Sequence, residues 1–84
     1  MITAIRFTAP WCRPCKSFAP VFDEFMSEIE GVNSHVVDID SRPEVAELYG
    51  VTTIPTVVFE DDGTEIARVV GPKPKSALKA ALNT

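Results

Sequence analysis

Two cysteines, Cys12 and Cys15, are the only thiols in the chain, and they stand three positions apart. If they open a helix, as the apolar pattern after them implies, the unpaired amides and partial positive charge of that helix end stabilise a thiolate. Cys12 gains most from that field. Cys15, one turn further in, is within reach of Cys12 and can attack a mixed disulfide to release a reduced partner. Arg13 sets a fixed positive charge beside the thiolate, and Trp11 offers a flat apolar surface to a polypeptide. The competing reading is half of a zinc site, but structural zinc needs about four ligands and His35 is the one remaining soft candidate. Thiol–disulfide chemistry without a metal is the stronger reading, and it calls for no cofactor.

The elements that must position this pair follow from patterning. Ile2 to Thr8 is rich in β-branched and aromatic residues and stops at Ala9-Pro10, which predicts a buried first strand. Phe18, Val21, Phe22, Phe25, Met26 and Ile29 form the stripe of an amphipathic helix that starts near Cys12 and stops at Gly31. Pro14 suits the first turn, whereas Pro20 lies inside the helix and removes a backbone bond. His35 to Asp40 reads as a second strand. Ser41-Arg42-Pro43-Glu44 fits a capping box opening a short helix through Tyr49, ended by Gly50. Thr56 to Phe59 and Thr64 to Val70 are β-branched runs joined by a hairpin signal, Glu60-Asp61-Asp62-Gly63. After Gly71-Pro72, a closing helix presents Ala77, Leu78, Ala81 and Leu82 on one face.

The order is β-α-β-α-β-β-α, an α/β fold. Its first half is a right-handed parallel βαβ unit and its second half a hairpin and helix, giving one four-stranded mixed sheet flanked by three helices. Length allows one domain, residues 1–84. The cysteines then lie beyond the carboxyl end of the first strand, where open α/β sheets bind ligands.

Composition removes several function classes. An apolar share of 45% with five Phe and one Trp is ordinary for a globular fold. A net charge of −4 without a Lys/Arg run excludes a nucleic-acid footprint. No apolar segment approaches the ~20 residues that span a bilayer, and the N-terminus carries no signal-peptide pattern, so no membrane is expected and a cytoplasmic address is the default.

The chain resembles the thioredoxin family through Ala9-Pro10-Trp11-Cys12-Arg13-Pro14-Cys15-Lys16, the interior Pro20, Val37-Asp38-Ile39-Asp40, Tyr49-Gly50-Val51, Thr53-Ile54-Pro55-Thr56, Asp62-Gly63 and Val70-Gly71. The resemblance covers nearly the whole chain. It implies a minimal thioredoxin-like fold in which Cys12 is the exposed nucleophile, Cys15 the resolving thiol, and Pro55 a cis-proline packed against the disulfide. It also implies that Ile54 pairs with substrate backbone, while Trp11, Pro14, Val70 and Gly71 form an apolar docking rim. The implied activity is reduction of protein disulfides by a monomer, with a thioredoxin reductase as electron donor and ribonucleotide reductase as one candidate acceptor.

Three departures stand out. The family carries a strand and helix before the segment matching Ile2, and this chain starts without them, as in compact thioredoxins and glutaredoxin-like redoxins; the strand Ser34 to Asp40 is then expected at a sheet edge. The family's buried Asp falls on Arg6, and its companion Lys falls on Val36. Arg6 either snorkels to water or pairs with Asp38 and favours thiolate at Cys15. The glutathione-binding Gly-Gly of glutaredoxins is replaced by Val70-Gly71-Pro72-Lys73, which favours a thioredoxin-type electron source. A module that merely holds partners on the same surface is the alternative from another class, and a net oxidant a third.

Overall fold

A computed structural model describes residues 1–82. Its elements run β1 (Ile2–Thr8), α1 (Arg13–Ser27), β2 (Val32–Asp38), α2 (Pro43–Leu48), β3 (Thr56–Asp61), β4 (Thr64–Val70) and α3 (Lys75–Leu82). The four strands form one sheet in the order β2-β1-β3-β4, with β1 parallel to β2 and the other pairs antiparallel. The expected fold class and element order are therefore both present, and β2 is an edge strand.

Alternation along β1 separates two cores. Ala4 joins Phe18, Phe22, Phe25, Val57, Phe59, Val69 and Leu78 on the side covered by α1 and α3. Ile5 and Phe7 join Val37, Ala46 and Val58 on the side of α2. Because β1 and β3 are covered on both faces, Val57, Val58 and Phe59 are all fully buried, and a continuous apolar run is what such a strand requires. All five phenylalanines are buried, and Phe25 meets Phe59 edge-on at 6.0 Å. Each such side chain contributes about 1.5–3 kcal/mol by leaving water.

Several boundaries differ from the sequence reading. Helix α1 ends at Ser27 with Glu28 as its C-cap, four residues short of Gly31, although Ile29 still packs on the core. Gly31, at φ +74°, turns the chain into β2 instead. That strand begins at Val32, because its pairing follows β1 from Ile2 onward, and it ends at Asp38. The capping box of Ser41 and Glu44 does not form: Arg42 is the N-cap, and no side chain caps it. Proline disfavours helical geometry in the residue before it, so Arg42 cannot serve as the first helical residue and Pro43 takes that place. Strand β3 runs on to Asp61, and an extra residue in β4 bulges the ladder between Phe59 and Glu60.

The far end of α1 is tied to α3 by charge. Lys75 Nζ donates to Glu24 Oε1 at 2.6 Å and also to Glu28, and Lys79 Nζ reaches Glu28 Oε1 at 2.8 Å. Hydrogen bonds from Lys75 and then Lys79 lower the Glu28 carboxyl from 4.5 to about 2. A carboxyl lowered by folding stabilises the folded state fully above its ordinary value, and that contribution fades as pH falls from about 4.5 through about 2. The groups are exposed, so the effect on stability is small. Replacing both lysines with methionine is expected to return Glu28 toward 4.5 in an NMR carboxyl titration; an unmoved midpoint would show that the two ammonium groups are not its cause.

Candidate active site

The redox pair sits where β1 hands over to α1. Cys12 is the N-cap of α1, in extended geometry at φ −86° and ψ 106°, and its Sγ accepts a hydrogen bond from the Cys15 amide at 3.2 Å. The sulfur thus takes the place that a Ser or Asp oxygen takes at other helix starts. Cys12 and Cys15 are joined as a disulfide, with Cα atoms 5.2 Å apart. Pro14 lies in the first turn, where a missing amide costs nothing.

Around the sulfurs, Ala9, Cys12 and Cys15 form a small apolar cluster with Ile39 and Ile54 packed on it. Cys12 is 4% exposed and Cys15 1%. The expected openness of Cys12 is therefore corrected: its sulfur is recessed among Ala9, Ile39 and Ile54, and the order of accessibility rather than full exposure distinguishes it. The Ile54–Pro55 bond is cis, as anticipated. Pro55 is buried and its carbonyl accepts the Gly71 amide at 2.8 Å, so the loop before β3 and the loop after β4 are fastened together. Thr56 Oγ1 donates to the Thr53 carbonyl at 2.6 Å and braces the same turn.

Trp11 is 66% exposed, which rules out a core role, and its indole Nε1 donates to Asp40 Oδ2 at 2.9 Å. The Asp40 amide in turn donates to Asp38 Oδ1 at 2.9 Å. The Asp-x-Asp spacing after a strand, suited to an Asx-type turn, is the sequence signal that a carboxylate is being aimed. Ile39 likewise reaches the disulfide without having been anticipated. Val70 is 48% exposed. Arg13 and Pro14 are also exposed, next to Cys12. Of the residues expected at the site, Ile54 packs on the cysteine cluster and Trp11, Arg13 and Pro14 adjoin it in the chain, while Gly71 is bonded to Pro55 and one residue stands apart.

That one is Arg6. It does not pair with Asp38: its guanidinium carbon lies 5.4 Å from the centroid of the Phe22 ring, and its Nε is buried with no hydrogen-bond partner. Register explains this, since Arg6 faces Val36 across the parallel pair and the Asp38 carboxylate is engaged by the Asp40 amide. A cation over an aromatic face retains part of the attraction lost from water.

A Cys-x-x-Cys disulfide at a helix start, recessed in an apolar cluster with Ile39 and Ile54 on a four-stranded mixed sheet, is the arrangement of a dithiol–disulfide oxidoreductase. The thioredoxin family model matches residues 2–84. The thioredoxin of Chlamydia caviae is 43% identical over 82 residues, covering 98% of this chain and 80% of that one. The thioredoxin of Bacillus subtilis is 42% identical over 78 residues, covering 92% and 75%. Among solved structures, mitochondrial thioredoxin 3 of Saccharomyces cerevisiae in its oxidised form superposes with a TM-score of 0.89 at 30% identity, covering 99% of this chain and 78% of that one. The chain belongs to the thioredoxin family, and is a protein-disulfide reductase.

Proposed function

We propose that the reduced chain donates two electrons to protein disulfides through Cys12 and Cys15 and is itself recycled by a thioredoxin reductase. The observation that carries this is the recessed Cys12 at the N-cap of α1, with the Cys15 amide already directed at its sulfur. The Cys12 thiolate attacks one substrate sulfur, an S–S bond breaks, and the departing substrate thiolate takes up a proton. Cys15, deprotonated to solvent, then attacks Cys12 Sγ. The mixed disulfide breaks, the second substrate thiolate leaves and is protonated, and the protein is left as the observed disulfide. Two electrons pass from the dithiol to the substrate.

In this reading Trp11, Pro14, Val70 and Gly71 form the apolar rim that receives the substrate, Arg13 adds charge, and Ile54 and Pro55 present backbone to it. The hydrogen bond from Trp11 to Asp40 supports the rim role by fixing a large exposed ring in one orientation. The chain works as a cytoplasmic monomer, and ribonucleotide reductase is one candidate acceptor. Insulin reduction coupled to NADPH tests the reading. Turnover is expected to be about tenfold or more faster with thioredoxin reductase than with glutathione and its reductase, and equal rates would move the chain to the glutaredoxin side.

Arg6 is proposed to favour thiolate at Cys15 by its charge alone. Its stack on Phe22 lies about two helical turns from Cys15, so the effect is small and acts through the low-dielectric core. Titrating both thiols by NMR in Arg6→Leu is expected to show a modest upward shift at Cys15. Coincident curves would leave Arg6 without a redox role.

A further inference from the structure

The chain carries eight cationic side chains within a net charge of −4. Those of Arg68, Lys75 and Lys79 are engaged by carboxylates, and Arg6 is stacked on Phe22. Arg42, also exposed and without a carboxylate partner among the described residues, lines a pocket of about 370 Å³ to which no residue of the disulfide cluster contributes. The remaining three, Arg13, Lys16 and Lys73, are exposed and have no carboxylate partner among the described residues.

Arg13 and Lys16 flank the cysteine pair, and Lys73 follows the loop that is bonded to the one carrying Pro55. Arg13 and Lys16 occupy the first turn of α1 at i and i+3, hence on one face, and each adjoins a cysteine of the pair. Lys73 follows Gly71 by two residues, at most ~7 Å of chain, and the Gly71 amide is bonded to the Pro55 carbonyl. Nothing acidic stands in the first turn of α1. On the other flank the Asp40 carboxylate is held by Trp11, so the rim of the disulfide is polarised rather than uniformly positive.

We infer that Arg13, Lys16 and Lys73 select substrates whose cysteines are flanked by acidic residues. This rests on the protein-disulfide reductase reading above and names its substrate class. The guanidinium of Arg13 suits a carboxylate of the substrate in bidentate geometry, and the two ammonium groups add point charge. Overall charge works against any acidic partner at long range. Screening confines that repulsion, however, while the rim cations lie within a Debye length, about 8–10 Å, of a docked strand. Selection therefore reads local sequence around the target cysteine, not the net charge of the substrate.

The test uses the pre-reduced protein and cystine-bridged short peptides with Glu, Ser or Lys on both sides of each cysteine. Rates are measured by acid quench and chromatography and divided by the rate of dithiothreitol with the same peptide, which removes the effect of flanking charge on the sulfur itself. At about 20 mM salt the Glu peptide is expected to react about tenfold faster than the Lys peptide, with the ratio shrinking toward one near 0.5 M. The triple variant Arg13→Ser, Lys16→Ser, Lys73→Ser is expected to lose the preference, and Arg13→Glu to reverse part of it. Equal rates at low salt, or a preference that the triple variant keeps, would overturn the inference. Failure to reduce even the Ser peptide would instead break the reductase reading.

Discussion

Serine at Cys12 is expected to lower disulfide reduction by about three orders of magnitude or more, to the uncatalysed background, because a hydroxyl at the same N-cap supplies no thiolate. Serine at Cys15 is expected to give a different failure. Cys12 still attacks, but no thiol stands behind it to break the new bond, so the protein makes one attack and stays linked to its substrate. Mass spectrometry of each variant with a disulfide substrate distinguishes the two: a stable adduct in Cys15→Ser and none in Cys12→Ser. The reverse pattern would exchange the roles of the cysteines. The assignment rests on Cys12 being the N-cap and the more accessible of the pair, at 4% against 1% exposure. The recess means that a substrate sulfur must approach closely to reach Cys12.

Alanine at Phe59 is expected to cost about 3–5 kcal/mol. For 84 residues the whole folding free energy is about 4–13 kcal/mol, so this single change removes a large share of it. Phe59 is fully buried in β3, in edge-on contact with Phe25 of α1, and no neighbouring chain can collapse into its volume without moving that helix. Urea unfolding followed by circular dichroism measures the loss. Phe59→Leu, which keeps most of the volume, is expected to cost less than half as much. Equal losses from the two would show that ring packing is not what the site depends on.

Much of the fold was legible because its signals were redundant. Phe18, Phe22 and Phe25 mark one face of α1, and β4 is bounded on one side by Asp62-Gly63 and on the other by Gly71-Pro72, so its limits agree with the structure. The misreadings have local causes. Val32 and Asn33 fall outside the strand pattern because an edge strand can carry polar residues, and the pairing with β1 from Ile2 onward makes them strand. Ser41 and Glu44 satisfy a capping pattern that Pro43 forbids. At the site, the Cys-x-x-Cys spacing carries its own chemistry, whereas the Asp-x-Asp spacing shows a turn without showing that the turn brings Asp40 to Trp11 and Ile39 to the disulfide. Arg6 was placed on the right face but with the wrong partner, as sequence parity gives the side of a sheet and not which neighbour is already engaged.

The loop carrying Ile54 and Pro55 leads directly into Thr56, Val57, Val58 and Phe59, all buried, on a strand paired along both of its edges. Amide hydrogens there are expected to exchange among the slowest in the chain, near the limit set by global unfolding. Recognition surfaces commonly sit on segments that open early; here the loop of Ile54 and Pro55 is continuous with a fully buried central strand. The ordering entropy of that loop is therefore met during folding.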